Sequence, residues 1–302
     1  MYKSVILALV CSILPILRNF SDRKVLRGGE NVIKKDKFLV LGSRGSVACS
    51  DSRLLKYGGA TSAFLLQAGG KNILFDAGTG ILRSTEVLME EKEIHLFIGH
   101  VHMDHIMGLA FWRPLFMKDR EIHIYSEMRE GMTIREQLDN FLKPPYWPVG
   151  IGPWQGVKEY RDITVGEVIS LGDGVTVNTM RSNHPDTGTL FRVDWDGKSL
   201  VYALDYEHAE ESSTELAKFA KDCDLLIYDS TYAPEVYPQK VGWGHSTWEE
   251  ALKLKQAAGV KTLLLAHHEI DNTDEILDEL QMKLTELDPN VYLAKEGMEI
   301  EL

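Results

Sequence analysis

An α/β fold is expected for residues 36–302, because short β-rich runs alternate with helical stretches along that length. With 302 residues and 44% apolar content the chain can bury a large core, and α/β chains of this size commonly form one domain. The first patterned strand is 38–41, closed by the turn-rich Gly42-Ser43-Arg44-Gly45-Ser46. Further strands are read at 62–67, 72–75, 94–98, 122–125, 175–180, 190–195, 199–204, 225–228, 262–266 and 291–294. Helices are read at 81–89, 133–142, 212–221, 247–258 and 273–287. The helix at 247 has Ser246 or Thr247 as its cap, with Glu249 and Glu250 in the first turn, where the helix dipole favours negative charge. Pro144, Pro145, Pro148 and Pro153 make 143–154 a surface loop.

Residues 1–35 read as an N-terminal extension. An apolar run at 4–17 follows Lys3 and precedes Arg18, Arg23, Lys24 and Arg27. It is shorter than the roughly 20 residues that span a bilayer. No small-x-small cleavage site follows it, and Pro15 interrupts a helix there. A cytoplasmic protein is expected, with membrane association or export through this segment as the alternative. Cys11, Cys49 and Cys223 are too few for a disulfide framework and lack C-x-x-C spacing, so they read as ordinary thiols. With 33 basic and 45 acidic residues, a net charge of −12, long nucleic acid is not an expected partner. Oligomeric state is open, a homodimer being the commonest assembly.

The strongest chemical signal is His100-Val101-His102-Met103-Asp104-His105, directly after the strand at 94–98. Histidine makes up only 10 of 302 residues, so this crowding departs from composition. Imidazole and carboxylate are the donors that suit zinc, manganese or iron, and such close spacing lets neighbouring residues feed two adjacent ions. Further candidates also sit at strand ends: His184, Asp205 and His267. His268 competes with His267 for one position, and His267 is preferred because it directly follows the apolar run 263–266. His208, three residues beyond Asp205, reads as a solvated surface histidine.

Together these residues resemble the metallo-β-lactamase superfamily, whose H-x-H-x-D-H signature is matched at every position of 100–105. The resemblance runs from about residue 38 to the C-terminus. It takes in Asp76-Ala77-Gly78 as the family's D-x-G turn and Tyr57-Gly58-Gly59-Ala60-Thr61-Ser62 as a segment of its phosphodiesterase branch. It implies a four-layer αβ/βα sandwich. It also implies two divalent metal ions, zinc first, with manganese or iron as alternatives. One would be held by His100, His102 and His184 and the other by Asp104, His105 and His267, with Asp205 bridging.

A second motif, Gly244-His245-Ser246-Thr247, lies downstream of Tyr228-Asp229-Ser230-Thr231-Tyr232. The pair is similar to the tRNA 3′-processing endonuclease branch and to the related cyclic phosphodiesterases. The resemblance implies that His245, oriented by Asp229, assists at the scissile phosphate. An imidazole held by a carboxylate can both stabilise the phosphate oxygens and supply a proton to the departing alkoxide. Asp104 would orient the nucleophile, a metal-bound hydroxide made available by two ions that acidify one water.

The expected function is therefore a metal-dependent hydrolase, first a phosphodiesterase acting on a small, cyclic or open, diester. The alternatives are a tRNA 3′-end processing endonuclease and a lactone or thioester hydrolase on the same cluster. A phosphate-cradle role for the 42–46 turn, with Arg44 on the substrate phosphate, is weighed against a plain strand-connecting turn.

Overall fold

The computed structural model describes residues 36–302, which build two seven-stranded mixed sheets packed face to face. The first sheet runs in the order β14-β1-β2-β3-β4-β5-β6, with β1 at Lys37–Gly42, β2 at Ala63–Ala68, β3 at Lys71–Phe75, β4 at Glu93–Phe97, β5 at Glu121–Glu127, β6 at Val157–Ile163 and β14 at Glu299–Glu301. The second runs in the order β13-β12-β11-β10-β9-β8-β7, with β7 at Val168–Gly172, β8 at Val175–Ser182, β9 at Gly188–Trp195, β10 at Lys198–Ala203, β11 at Leu225–Asp229, β12 at Thr262–Ala266 and β13 at Val291–Leu293. In each sheet an antiparallel set passes into a parallel one, from β3 to β6 and from β10 to β13. Parallel strands align their carboxyl ends, and ligand sites of open α/β sheets form beyond those ends.

Three apolar clusters fill the spaces between layers. Phe38, Phe64, Phe75 and Phe97 of the first sheet meet Val177, Phe191, Tyr202 and Leu264 of the second in the middle. Ile134 and Leu138, from helix Ile134–Phe141, cover the outside of the first sheet. Leu216, Trp248, Ala251, Leu277 and Leu284 from helices Glu210–Phe219, Trp248–Ala258 and Asp274–Leu287 cover the outside of the second. The result is the four-layer αβ/βα sandwich that the resemblance implied.

The strands read as β-rich runs all form. The three that escaped that reading, β6, β7 and β14, lie at sheet edges. An edge strand is exposed along one side and needs no apolar run, and β6 with the sequence VKEYRDI shows none. Four of the helices start at or near their expected positions; Thr133 forms a capping box with Glu136, and Thr247 rather than Ser246 caps helix Trp248–Ala258.

The helix expected at 81–89 is replaced by a 3₁₀ turn, Thr79–Arg83, and a single helical turn, Ser84–Val87. Ser84 Oγ donates back to the Ile81 carbonyl at 2.7 Å, competing with regular helical bonding. The 143–154 segment contains no helix or strand, yet it is anchored inward by the buried Ile151 and Trp154.

The cellular placement is corrected. Among the described residues no helix is long and apolar enough to cross a membrane. The 4–17 run on which membrane association or export rested lies outside the described residues, as does Cys11.

Candidate active site

Strand ends from both sheets converge on one cluster. His100 to His105 follow β4, His184 follows β8, Asp205 follows β10, Asp229 ends β11 and His267 follows β12. Donor atoms of His100, His102, His184 and Asp205 lie within 4.8 Å of one another, and so do those of Asp104, His105 and His267. Asp205 stands between the two sets. Its Oδ1 is 3.7 Å from His100 Nε2 and 3.6 Å from His184 Nε2. Its Oδ2 is 2.9 Å from His105 Nε2 and 3.3 Å from His267 Nε2. The backbone at Asp205 is left-handed, with φ 51°.

The residues fit divalent metal ions on two observations. Donors bonded to one tetrahedral zinc at about 2.0–2.1 Å stand about 3.4 Å apart, close to the spacings around Asp205. His105 Nε2 and Asp205 Oδ2 are buried, face each other at 2.9 Å, and have no hydrogen-bond partner. A buried polar atom without a partner is costly, and a shared cation removes that cost.

The outward nitrogens of the imidazoles are held in turn. His105 Nδ1 donates to Asp76 Oδ2 at 2.6 Å, His102 Nε2 meets Asp186 Oδ2 at 3.0 Å, and His267 Nδ1 meets Thr231 Oγ1 at 2.9 Å. Such partners fix the tautomer and ring orientation of an imidazole that binds metal. Asp76 also accepts from Gly99 N at 2.8 Å and from the Tyr202 hydroxyl at 2.6 Å. The Tyr202 ring stacks on Phe75 at 5.0 Å in the inter-sheet core, so core packing sets the position of Asp76 and thereby of His105. Asp76→Asn is expected to weaken metal binding about 10- to 100-fold with the fold intact. Competition with a chromophoric chelator measures it, and wild-type affinity in the variant would remove Asp76 from this role.

Asp104 is placed by the 42–46 turn, because Ser46 N donates to its Oδ2 at 2.8 Å. That oxygen lies 3.2 Å from His105 Nε2 and 3.3 Å from His267 Nε2. Arg44, weighed above as a phosphate contact, is fully buried and donates to the carbonyls of Gly58, Glu269 and Asn272 at 2.8 Å each. Its work is to join the turn to the loop after β12. Gly45 lies against His267, where a Cβ would come within 2.2 Å of Nδ1. His268 turns away and reaches the Ala294 carbonyl at 2.8 Å. His208 is half-buried rather than solvated, tied to Ser246 Oγ at 2.8 Å and packed on Tyr237.

His245 borders the cluster, its ring stacked on His267 at 4.8 Å. Its Nδ1 donates to Asp229 Oδ2 at 2.8 Å. Asp229 is fully buried and also accepts from Thr231 N, Thr231 Oγ1, Ser246 N and Asp205 N. Asp229 thus links the His245 loop to Asp205 in one network.

Burial alone would raise the carboxylates and lower the imidazoles, and the charges around each group decide the outcome. Burial pushes Asp104 and Asp205 up, but the His105 beside them holds both well below the usual carboxylate range. Burial depresses His100 strongly and brings His184 down to about 4, keeping both neutral, as a metal ligand must be. Burial opposes charge on His245 too, yet Asp229 raises it to about 9. The loop carrying His245 is pinned by the buried Glu207, which accepts from Gly242 N at 2.7 Å, Gly244 N at 2.8 Å and the Tyr237 hydroxyl at 2.9 Å. Asp76 was visible in the sequence only as part of a turn and Thr231 only as part of a motif, and nothing there marked Asp186 or Glu207. Their signal is proximity, each lying two residues from a named site residue or directly after a strand.

A sandwich of two mixed sheets with imidazoles and carboxylates gathered at its strand ends is that of a metal-dependent hydrolase. The family model described as the beta-lactamase superfamily domain matches residues 71–268, and the chain belongs to that family. Among similar proteins, the ribonuclease Z of Gemmatimonas aurantiaca is 24% identical over 294 residues, covering 80% of this chain and 90% of that one. The ribonuclease Z of Thermococcus onnurineus is 27% identical over 269 residues, covering 74% and 83%. The fold is shared with the metallo-beta-lactamase fold protein YhfI from Bacillus subtilis, at a TM-score of 0.65, 20% identity and 89% and 100% coverage. It is also shared with the short form of human tRNase Z, at 0.61, 18%, and 88% and 98%.

These relatives correct the expectation that long nucleic acid is not a partner. Net charge is an average over the whole surface. A polyanion meets the local potential at the cleft, where divalent cations would invert the sign of the carboxylates.

Proposed function

We propose that residues 36–302 form a metal-dependent phosphodiesterase that processes the 3′ ends of tRNA precursors, with zinc as the first metal to test. The observation that carries this reading is the set of relatives named ribonuclease Z, matched over up to 90% of their own length. They support RNA over the small diester preferred from sequence.

His100, His102 and His184 would hold one ion, Asp104, His105 and His267 the other, and Asp205 would bridge them. When bound, the ions acidify water and neutralise charge on the phosphate. Asp104, held by Ser46 N, would accept a hydrogen bond from the attacking water and so orient it toward phosphorus. His245 keeps Nδ1 on Asp229 and turns Nε2 to the departing oxygen, to which it gives a proton. Asp229 orients that imidazole and favours its cationic form.

The test is incubation of the metal-loaded chain with a 5′-labelled tRNA precursor bearing a 3′ trailer, beside bis(p-nitrophenyl) phosphate and a cyclic nucleotide. A single cut at the trailer junction is expected. Hydrolysis of the small diesters with the precursor left whole would overturn the RNA reading while keeping the phosphodiesterase.

A further inference from the structure

Immediately before His245 the chain presents an aromatic and basic cluster that the hydrolytic chemistry leaves unused. Trp243 is 59% exposed, and Lys240 Nζ sits 4.2 Å from its ring centroid. The same ammonium lies 5.6 Å from the ring of Tyr232, whose own ring meets His245 edge-on at 5.7 Å. One phenol ring therefore separates Lys240 from the imidazole at the scissile position. Among the described residues Lys240 makes no close ion pair; the carboxylate that feels its charge is Glu269, at longer range, so the ammonium keeps room to meet an anion.

The cluster is held in place before any ligand arrives. Trp243 N donates to the Lys240 carbonyl at 3.1 Å, closing a tight turn. Gly242 and Gly244, on either side of Trp243, both have φ 86° and both give their amides to Glu207. Gly244 also packs against the site, where a Cβ would come within 2.3 Å of His184 Cδ2. Because a buried carboxylate holds the amides on both sides of Trp243, the backbone that presents the indole needs little ordering on binding.

We propose that Trp243 and Lys240 form a nucleobase-stacking subsite for a nucleotide flanking the scissile phosphate. The base lies on the indole face turned away from Lys240, and the ammonium meets a neighbouring phosphate. Every base has a π-face, so such a platform grips single-stranded RNA without reading its sequence. The inference rests on the RNA reading above.

The test compares wild type, Trp243→Ala, Trp243→Phe and Lys240→Ala on a labelled tRNA precursor and on versions carrying an abasic ribose at each nucleotide beside the cut. Trp243→Ala is expected to lower kcat/KM on the intact precursor about 10- to 100-fold, mainly through KM, and Trp243→Phe to recover most of it. On the precursor that is abasic at the stacked position, Trp243→Ala should cost nothing further. Lys240→Ala should make binding less steeply dependent on salt, by about one unit of slope. Equal losses on intact and abasic RNA, or no loss on intact RNA, would overturn the subsite while leaving the RNA reading standing. A wild-type chain that leaves the precursor uncut would overturn both.

Discussion

Asp205→Asn is expected to reduce bound metal and lower phosphodiester turnover by about 10³-fold or more. Each ion supplies several kcal/mol to the transition state, and about 4 kcal/mol corresponds to three decades in rate. Asp205 is chosen because its two oxygens face different donor sets, His100 and His184 on one side and His105 and His267 on the other. Asparagine is chosen because the backbone there is left-handed, with φ 51°, a region that asparagine tolerates and alanine does not. The substitution therefore removes charge with little added strain. Elemental analysis of the purified variant, read beside turnover and a thermal melt, checks it. A variant that melts like wild type and retains both metal and rate would remove Asp205 from the bridging position.

His245→Ala is expected to keep its metal and to lose about 10²- to 10⁴-fold in kcat on RNA, the range for a positioned proton donor. The leaving group gives the sharper discrimination. An RNA alkoxide needs a proton as it departs, whereas p-nitrophenolate leaves as a stable anion, so bis(p-nitrophenyl) phosphate should suffer much less. Asp229 anchors Nδ1 at 2.8 Å, which leaves Nε2 for the substrate. Equal losses on both substrates would assign His245 to binding or charge stabilisation instead of proton transfer.

The candidate site was unusually legible because its chemistry is local in the chain. The 100–105 run packs donors for both sets into one strand-end loop, and the other donors each follow an apolar strand that periodicity reveals. Edge strands β6, β7 and β14 were not legible, because exposure along one side relaxes the demand for apolar residues. The partner expectation failed for a related reason: a net charge of −12 sums over a surface, and composition does not say which charges meet a ligand.

Sequence alone determined the interior strands, four of the helices and the donor types, because each is written in residues close together in the chain. Only the tertiary structure decided that Asp205 faces both donor sets, that His267 and not His268 turns inward, and that Arg44 is spent on carbonyls. It also decided that Asp76 steers His105 from a position fixed by Tyr202 on the opposite sheet. These are contacts between segments brought together by packing two sheets, and the direction of a side chain across that packing is not written in its neighbours along the chain.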